Sequence, residues 1–181
     1  YKVSSMNIRK NSPMPKLSVV SFLTILLFFT ANSALLAQKL RRDPQTDKYT
    51  YFGVGLVGSQ TKDSTYIKSL EWIKFNYKAP KEVIRLADKK AYKIVLEGNF
   101  KTMVMKKEAY IGYTITLECR DGRLVYTFTD FNYFTLGAGR INFEEDDLPS
   151  RRKMVKDAQK KVEKLVASLT SYILMNEKLP E

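Results

Sequence analysis

Five tyrosines, Tyr92, Tyr110, Tyr113, Tyr126 and Tyr133, fall within or at the ends of strand-like runs, and four acids, Glu144-Glu145-Asp146-Asp147, stand in a row. With the lysines and arginines of residues 151–164, they are the groups whose chemistry could make a site. Aromatic rings on an open sheet face suit a sugar, a peptide or a lipid, although cross-strand packing accounts for them equally well. A row of carboxylates can hold calcium or magnesium, hard cations that want several oxygens. This row lacks the spaced ligands and glycine of an EF-hand loop. Acids before a helix are explained more simply by the positive end of its dipole, or by the Arg151-Arg152-Lys153 run that follows. Neither a metal site nor a cofactor is assigned.

Catalysis finds little support. Histidine is absent and cysteine occurs once, at Cys119. That removes His-based acid/base work, a Cys-His pair, His/Cys zinc sites and any intramolecular disulfide. A Ser or Thr nucleophile would need a lysine as its base. Asp121 and Arg123 belong to a turn, Glu118 to a strand and Asp130 to a strand end, and no spacing pairs them for acid/base work. A hydrolase without histidine is the weaker alternative.

The chain has 181 residues, 44% hydrophobic and 28% charged, which is too apolar for a disordered chain and suits one domain. Its beginning differs from the rest. Lys2, Arg9, Lys10 and Lys16 precede 21 uncharged residues, Leu17 to Ala37, with the apolar run Val19–Phe29 inside them. A basic segment, a short apolar stretch and small residues beyond it make a signal peptide over residues 1–37, with cleavage expected at Ala37-Gln38 or Ala34-Leu35. The true start is expected at Met6 or Met14. An uncleaved anchor is the competing reading, because 21 residues just span a bilayer. Thr30, Asn32 and Ser33 weaken that span, and Lys39, Arg41 and Arg42 directly after it fit the positive-inside rule poorly. Export to the periplasm or beyond is the expectation. Without the four leading basic residues, 27 of the 31 remain against 19 acids, a net charge of +8.

Residues 38–47 are charged, contain Pro44 and are expected to form a tether before a domain at 48–178. Tyr49–Val57 is aromatic and β-branched, a first strand, and Gly53 and Gly55 share one face where a helix could pack closely. Thr61 or Asp63 can cap a helix carrying Tyr66, Leu70, Ile73 and Tyr77, flanked by Trp72 and Phe75 and ended by Pro80. From Lys81 the period becomes two. Strands are expected at Val83–Leu86, Tyr92–Phe100, Ala109–Cys119 and Leu124–Phe131, with turns at Asp88-Lys89-Lys90, Lys106-Lys107-Glu108 and Asp121-Gly122. In the third of these strands Ile111, Tyr113, Ile115, Leu117 and Cys119 share one parity, Tyr110 and Gly112 the other, and Cys119 is expected to be buried. An irregular stretch, 132–149, leads to a last helix opened by Pro149 and Ser150. Val155, Ala158, Val162, Leu165, Val166, Leu169 and Ile173 line that helix. The fold class is α+β: a single antiparallel sheet, order β-α-β-β-β-β-α, with helices 62–78 and 150–175 on one face.

That order is the half-repeat of the TATA-box-binding-protein fold. The residues resemble a narrower group. A first strand ending in Gly58, then Lys62-Asp63, Tyr66 and Glu71-Trp72-Ile73, is similar to the opening of a family of secreted bacterial domains of unknown function (DUF) with a TBP-like fold. The hairpin Tyr113-Thr114-Ile115-Thr116-Leu117-Glu118-Cys119-Arg120-Asp121-Gly122-Arg123, with Tyr126 and Phe128, resembles that family's, although Leu124 stands where the family often has tyrosine. The resemblance covers roughly Tyr51 to Phe134 and implies fold and export; it supplies no site.

The function expected is therefore an exported, non-catalytic binding or envelope-associated module. Its ligand face would be the open sheet face, where alternation puts some of the tyrosines Tyr92, Tyr110, Tyr113, Tyr126 and Tyr133, together with the 132–149 stretch, and the charge favours an anionic glycan, a lipid headgroup or an acidic protein partner. Nucleic acid is not expected, since fold does not carry function and an exported chain rarely meets DNA. The alternative is a structural protein that self-associates through a sheet edge or the C-terminal helix.

Overall fold

The computed structural model describes residues 39–175. The expected signal peptide lies outside them. β1 (Arg41–Arg42) and β2 (Tyr49–Leu56) form a small hairpin, followed by α1 (Lys62–Asn76) and the single turn α2 (Pro80–Val83). Next come β3 (Ile84–Asp88), β4 (Lys93–Val104), β5 (Lys107–Arg120), β6 (Arg123–Phe134), β7 (Ile141–Asn142) and α3 (Arg151–Met175). The antiparallel sheet has the order β1-β2-β6-β5-β4-β3, and β7 pairs with β6.

Period-two alternation sets which side of each long strand is buried. Ile94, Leu96 and Val104 of β4, Ile111, Ile115, Leu117 and Cys119 of β5, and Leu124 and Phe128 of β6 all point to the helix face. Asp130 and Phe131 of β6 stand opposite Tyr113 alone, between the pairs Thr114–Thr129 and Gly112–Asn132, with Asp130 at φ +53°. This bulge resets the parity, so Phe128 and Phe131 are both buried although they are three residues apart.

α1 begins where Thr61 accepts a hydrogen bond from the Ser64 N–H at 3.2 Å. Its buried side is Thr65, Tyr66, Ser69, Trp72 and Ile73, while Phe75 is exposed. The helix ends at Asn76, two residues before the expected bound, because Tyr77 turns to extended backbone. Pro80 then opens one further helical turn where a strand was expected from Val83. α3 buries Met154, Ala158, Val162, Leu169 and Ile173. It meets β2 at Gly55, where a Cβ would stand 3.1 Å from Thr170 Oγ1, so this glycine does seat a helix.

Within the segment expected to be a tether, Leu40 is buried and Arg41 and Arg42 pair with Thr50 and Tyr49. The irregular stretch 132–149 also supplies core: Phe143 packs on Phe131 at 5.6 Å and on Tyr49 at 5.9 Å between ring centroids. The turn expected at Lys106-Lys107-Glu108 is the two residues Met105 and Lys106, both with positive φ, between the paired Val104 and Lys107.

Candidate functional site

The five tyrosines do not gather on the open face. Tyr113 shares the parity of Ile111 and Ile115, is 3% exposed and lies under the helices. Gly98, opposite it on β4, makes room: a Cβ there would fall 2.6 Å from the phenol oxygen and 2.7 Å from Cζ. Its hydroxyl shares a hydrogen bond of 3.2 Å with that of Tyr77, and burial holds it far above the ordinary phenol range. Tyr126 is also in the core, stacked on Tyr51 at 6.3 Å. The Tyr51 hydroxyl is pushed up to about 12, first by burial and then by neighbouring Tyr126 and Glu163. Tyr133 pairs with Ile111 and packs, half-buried, against the core.

The other two tyrosines are placed differently. Tyr92, at φ +51°, sits in the turn before β4 with its ring edge-on to Tyr66 at 6.1 Å, and the ammonium groups of Lys62 and Lys89 lie 5.0 and 5.2 Å from its centroid. Tyr110 is the one of the five on the open face, where it stacks on Phe134 at 5.4 Å and donates its hydroxyl proton to Glu108. A shared tyrosine platform is thereby overturned: strand parity sends Tyr113, Tyr126 and Tyr133 to the helix side, where their rings are packing groups.

What the open face does carry is a row of apolar side chains on β2. Phe52, Val54 and Leu56 of β2 are 57%, 42% and 73% exposed and point away from the helices. Val125 and Thr127 of β6 face Val54 and Phe52 across the ladder, and Thr116, Thr114 and Thr129 continue the face inward. Toward the far edge it becomes charged, with Arg85 and Glu97 paired at 2.7 Å. The signal was present: once Gly53 and Gly55 are assigned to the helix, alternation sends Phe52, Val54 and Leu56 outward. β1 pairs only with Tyr49 and Thr50, so among the described residues no strand lies beside residues 51–56 on the side away from β6.

The acid row serves the fold. Glu144 accepts from the Tyr49 N–H at 2.6 Å, Glu145 accepts from the Asn142 N–H and side-chain amide at 2.9 and 2.6 Å, and Asp146 meets Arg151 at 3.7 Å. Among the described residues no cluster of three His, Cys, Asp or Glu side chains is placed to hold a metal ion. Cys119 is buried, and that burial pushes its thiol up to about 11 against a weaker opposing hydrogen bond from Ser69. Asp121 binds the start of α1 and is occupied by that turn.

An antiparallel sheet with helices packed on one side defines the α+β, TBP-like class. Residues 51–134 match the family described as a domain of unknown function (DUF4468) with TBP-like fold. Over those residues the chain is matched to a bacterial domain of unknown function with a TBP-like fold. A TBP-like protein from Parabacteroides distasonis ATCC 8503 is similar in structure, with a TM-score of 0.61 at 16% identity over 72% of this chain and 95% of its own. A DUF4468 family protein from Bacteroides ovatus ATCC 8483 is similar with a TM-score of 0.52 at 14% identity, over 67% of this chain and 86% of its own. At these identities the likeness is one of fold. No curated protein matches the chain.

Proposed function

We propose that this protein is an exported, non-catalytic binding module that takes an extended segment of a protein partner along β2, on the open face of its sheet. The observation that supports this reading is the row Phe52, Val54 and Leu56, three exposed apolar side chains in register on one face beside a strand edge that lacks a neighbour among the described residues. Solvated sheet faces ordinarily carry polar residues, as the threonines further in do here. Apolar side chains gathered at an edge suit strand addition, in which main-chain hydrogen bonds give affinity and alternate side chains give selectivity.

A peptide-display selection against the full chain, with Val54→Lys and Leu56→Lys variants as counter-targets, tests it. Enriched sequences should alternate apolar and polar residues and lose binding to both variants. Peptides that bind the variants equally well would rule out the β2 face. Self-association is the second reading, because the same edge could accept β2 of another copy. Light scattering distinguishes the two: a dimer abolished by Leu56→Lys favours self-pairing, and a monomer at high concentration excludes it.

A further inference from the structure

On the other side of the molecule, β4 and α3 enclose a cleft of about 260 Å³. Phe100, Lys101 and Thr102 line it from the strand, and Asp157, Lys160, Lys161 and Lys164 from the helix. The helical spacing of three, four and seven from Asp157 brings these side chains to one wall. Two of the charged groups already have partners. Asp157 accepts from Thr102 Oγ1 at 2.9 Å and from Lys153, and Lys101 pairs with Glu108. Burial pushes the Asp157 carboxyl up, but these hydrogen bonds and the nearby lysines outweigh it and hold it below its ordinary value.

Lys160, Lys161 and Lys164 have no ion pair among the described residues. Lys160 and Lys164 are one helical turn apart, a separation at which like charges destabilise a helix. An anion in the cleft would relieve that repulsion. The volume lies just below that of ordinary small-ligand pockets and admits one ring, whereas a flat bilayer surface could not enter it. Half-buried Phe100 adds an aromatic surface beside the ammonium groups. A sugar ring bearing a carboxylate offers both complements, C–H groups for the phenyl ring and negative charge for the lysines.

We propose that this cleft binds one acidic sugar of an anionic glycan, its carboxylate on Lys160, Lys161 and Lys164 and its ring against Phe100. The site is separate from the β2 face. Isothermal titration of the full chain with a short oligogalacturonate at low salt tests it, with a neutral oligosaccharide, phosphatidylglycerol vesicles and single-stranded DNA as comparison ligands. Saturable binding of the acidic oligosaccharide is expected, with none of the neutral one. Lys160→Ala with Lys164→Ala should weaken it about tenfold, as expected for losing charge-assisted contacts at a solvent-screened site. These lysines are exposed, so circular dichroism should show the double variant folded. Arg120→Ala and Val54→Lys should leave the affinity unchanged. The proposal is overturned by absence of binding at low salt, by full affinity in the double variant, or by vesicles or DNA binding as tightly as the sugar. None of these outcomes bears on peptide binding at β2, which the display selection reads separately.

Discussion

Asp121, in the β5–β6 turn, accepts a hydrogen bond at 2.8 Å from the backbone N–H of Lys62, the first residue of α1. The contact joins a hairpin tip to a helix start 59 residues away in the chain. Two backbone bonds reinforce it, Gly122 N–H to Gln60 O at 2.8 Å and Val57 N–H to Gly122 O at 3.0 Å. Gly122, at φ +69°, lets the turn close against Gly58, whose carbonyl oxygen would stand 3.1 Å from an added Cβ. The Asp-Gly pair thus does more than reverse the chain; it satisfies one of the N–H groups that a helix start leaves unpaired.

Asp121→Ala should therefore cost about 1 kcal/mol, the usual loss for a helix-start acceptor. Urea denaturation reads this as a lower midpoint with an unchanged slope. A cost within error of zero would mean that water replaces the carboxylate freely.

Gly98→Ala should destabilise by about 1–3 kcal/mol, because the new methyl group meets the Tyr113 ring, which the surrounding core holds in place. The same substitution in a Tyr113→Leu background should cost less, and the difference is the coupling between the two sites. Equal costs in both backgrounds would show that the ring moves aside. Tyr113→Ala alone should cost about 3–5 kcal/mol and Tyr110→Ala under about 1 kcal/mol, since one ring is buried and the other lies on the open face.

Trp72, the single tryptophan, donates its indole N–H to Ser168 Oγ at 3.0 Å and so ties α1 to α3. Ser168→Ala should cost about 0.5–1.5 kcal/mol, as expected for one lost hydrogen bond at a partly buried site. Tryptophan fluorescence during urea unfolding measures it directly. An unchanged midpoint would assign the α1–α3 contact to apolar packing alone.

Stability should fall as the pH rises above 9. The Cys119 thiol has an ordinary value of 9.0 and is pushed up to about 11 in the folded chain, chiefly by burial. The folded state then holds a proton that the unfolded state has released. Its contribution is full below about pH 9 and is lost progressively up to about pH 11, on the order of 2 kcal/mol in total. Tyr51, pushed up to about 12, acts in the same direction at higher pH. Midpoints of urea unfolding at about pH 8 and pH 10.5 should differ more in the wild type than in Cys119→Ala. An identical pH dependence in the two proteins would exclude the thiol as a contributor.

Local rules carried the architecture a long way. Alternation placed Cys119 and Ile115 on one side and Tyr110 on the other, and Thr61, Asp121-Gly122 and Pro149 marked ends that the structure respects within a residue or two. Of the two glycines read as a helix seat, Gly55 meets Thr170 of α3. These features depend on neighbours in the chain, so the sequence expresses them directly.

The site was less legible, because a side chain's use depends on what faces it across the sheet. Parity turns Tyr113 toward the helices, but its ring fits there because Gly98, fifteen positions away, leaves the space, and Tyr133 faces the helices only because the Asp130–Phe131 bulge resets the strand's parity. The lysine-rich helix face was visible in the amino acids, but the cleft exists only where α3 lies beside β4. Periodicity and turn chemistry act over a few residues and are written in order along the chain. Which groups meet is settled by strand register and helix docking, where packing across distant segments outweighs any local preference.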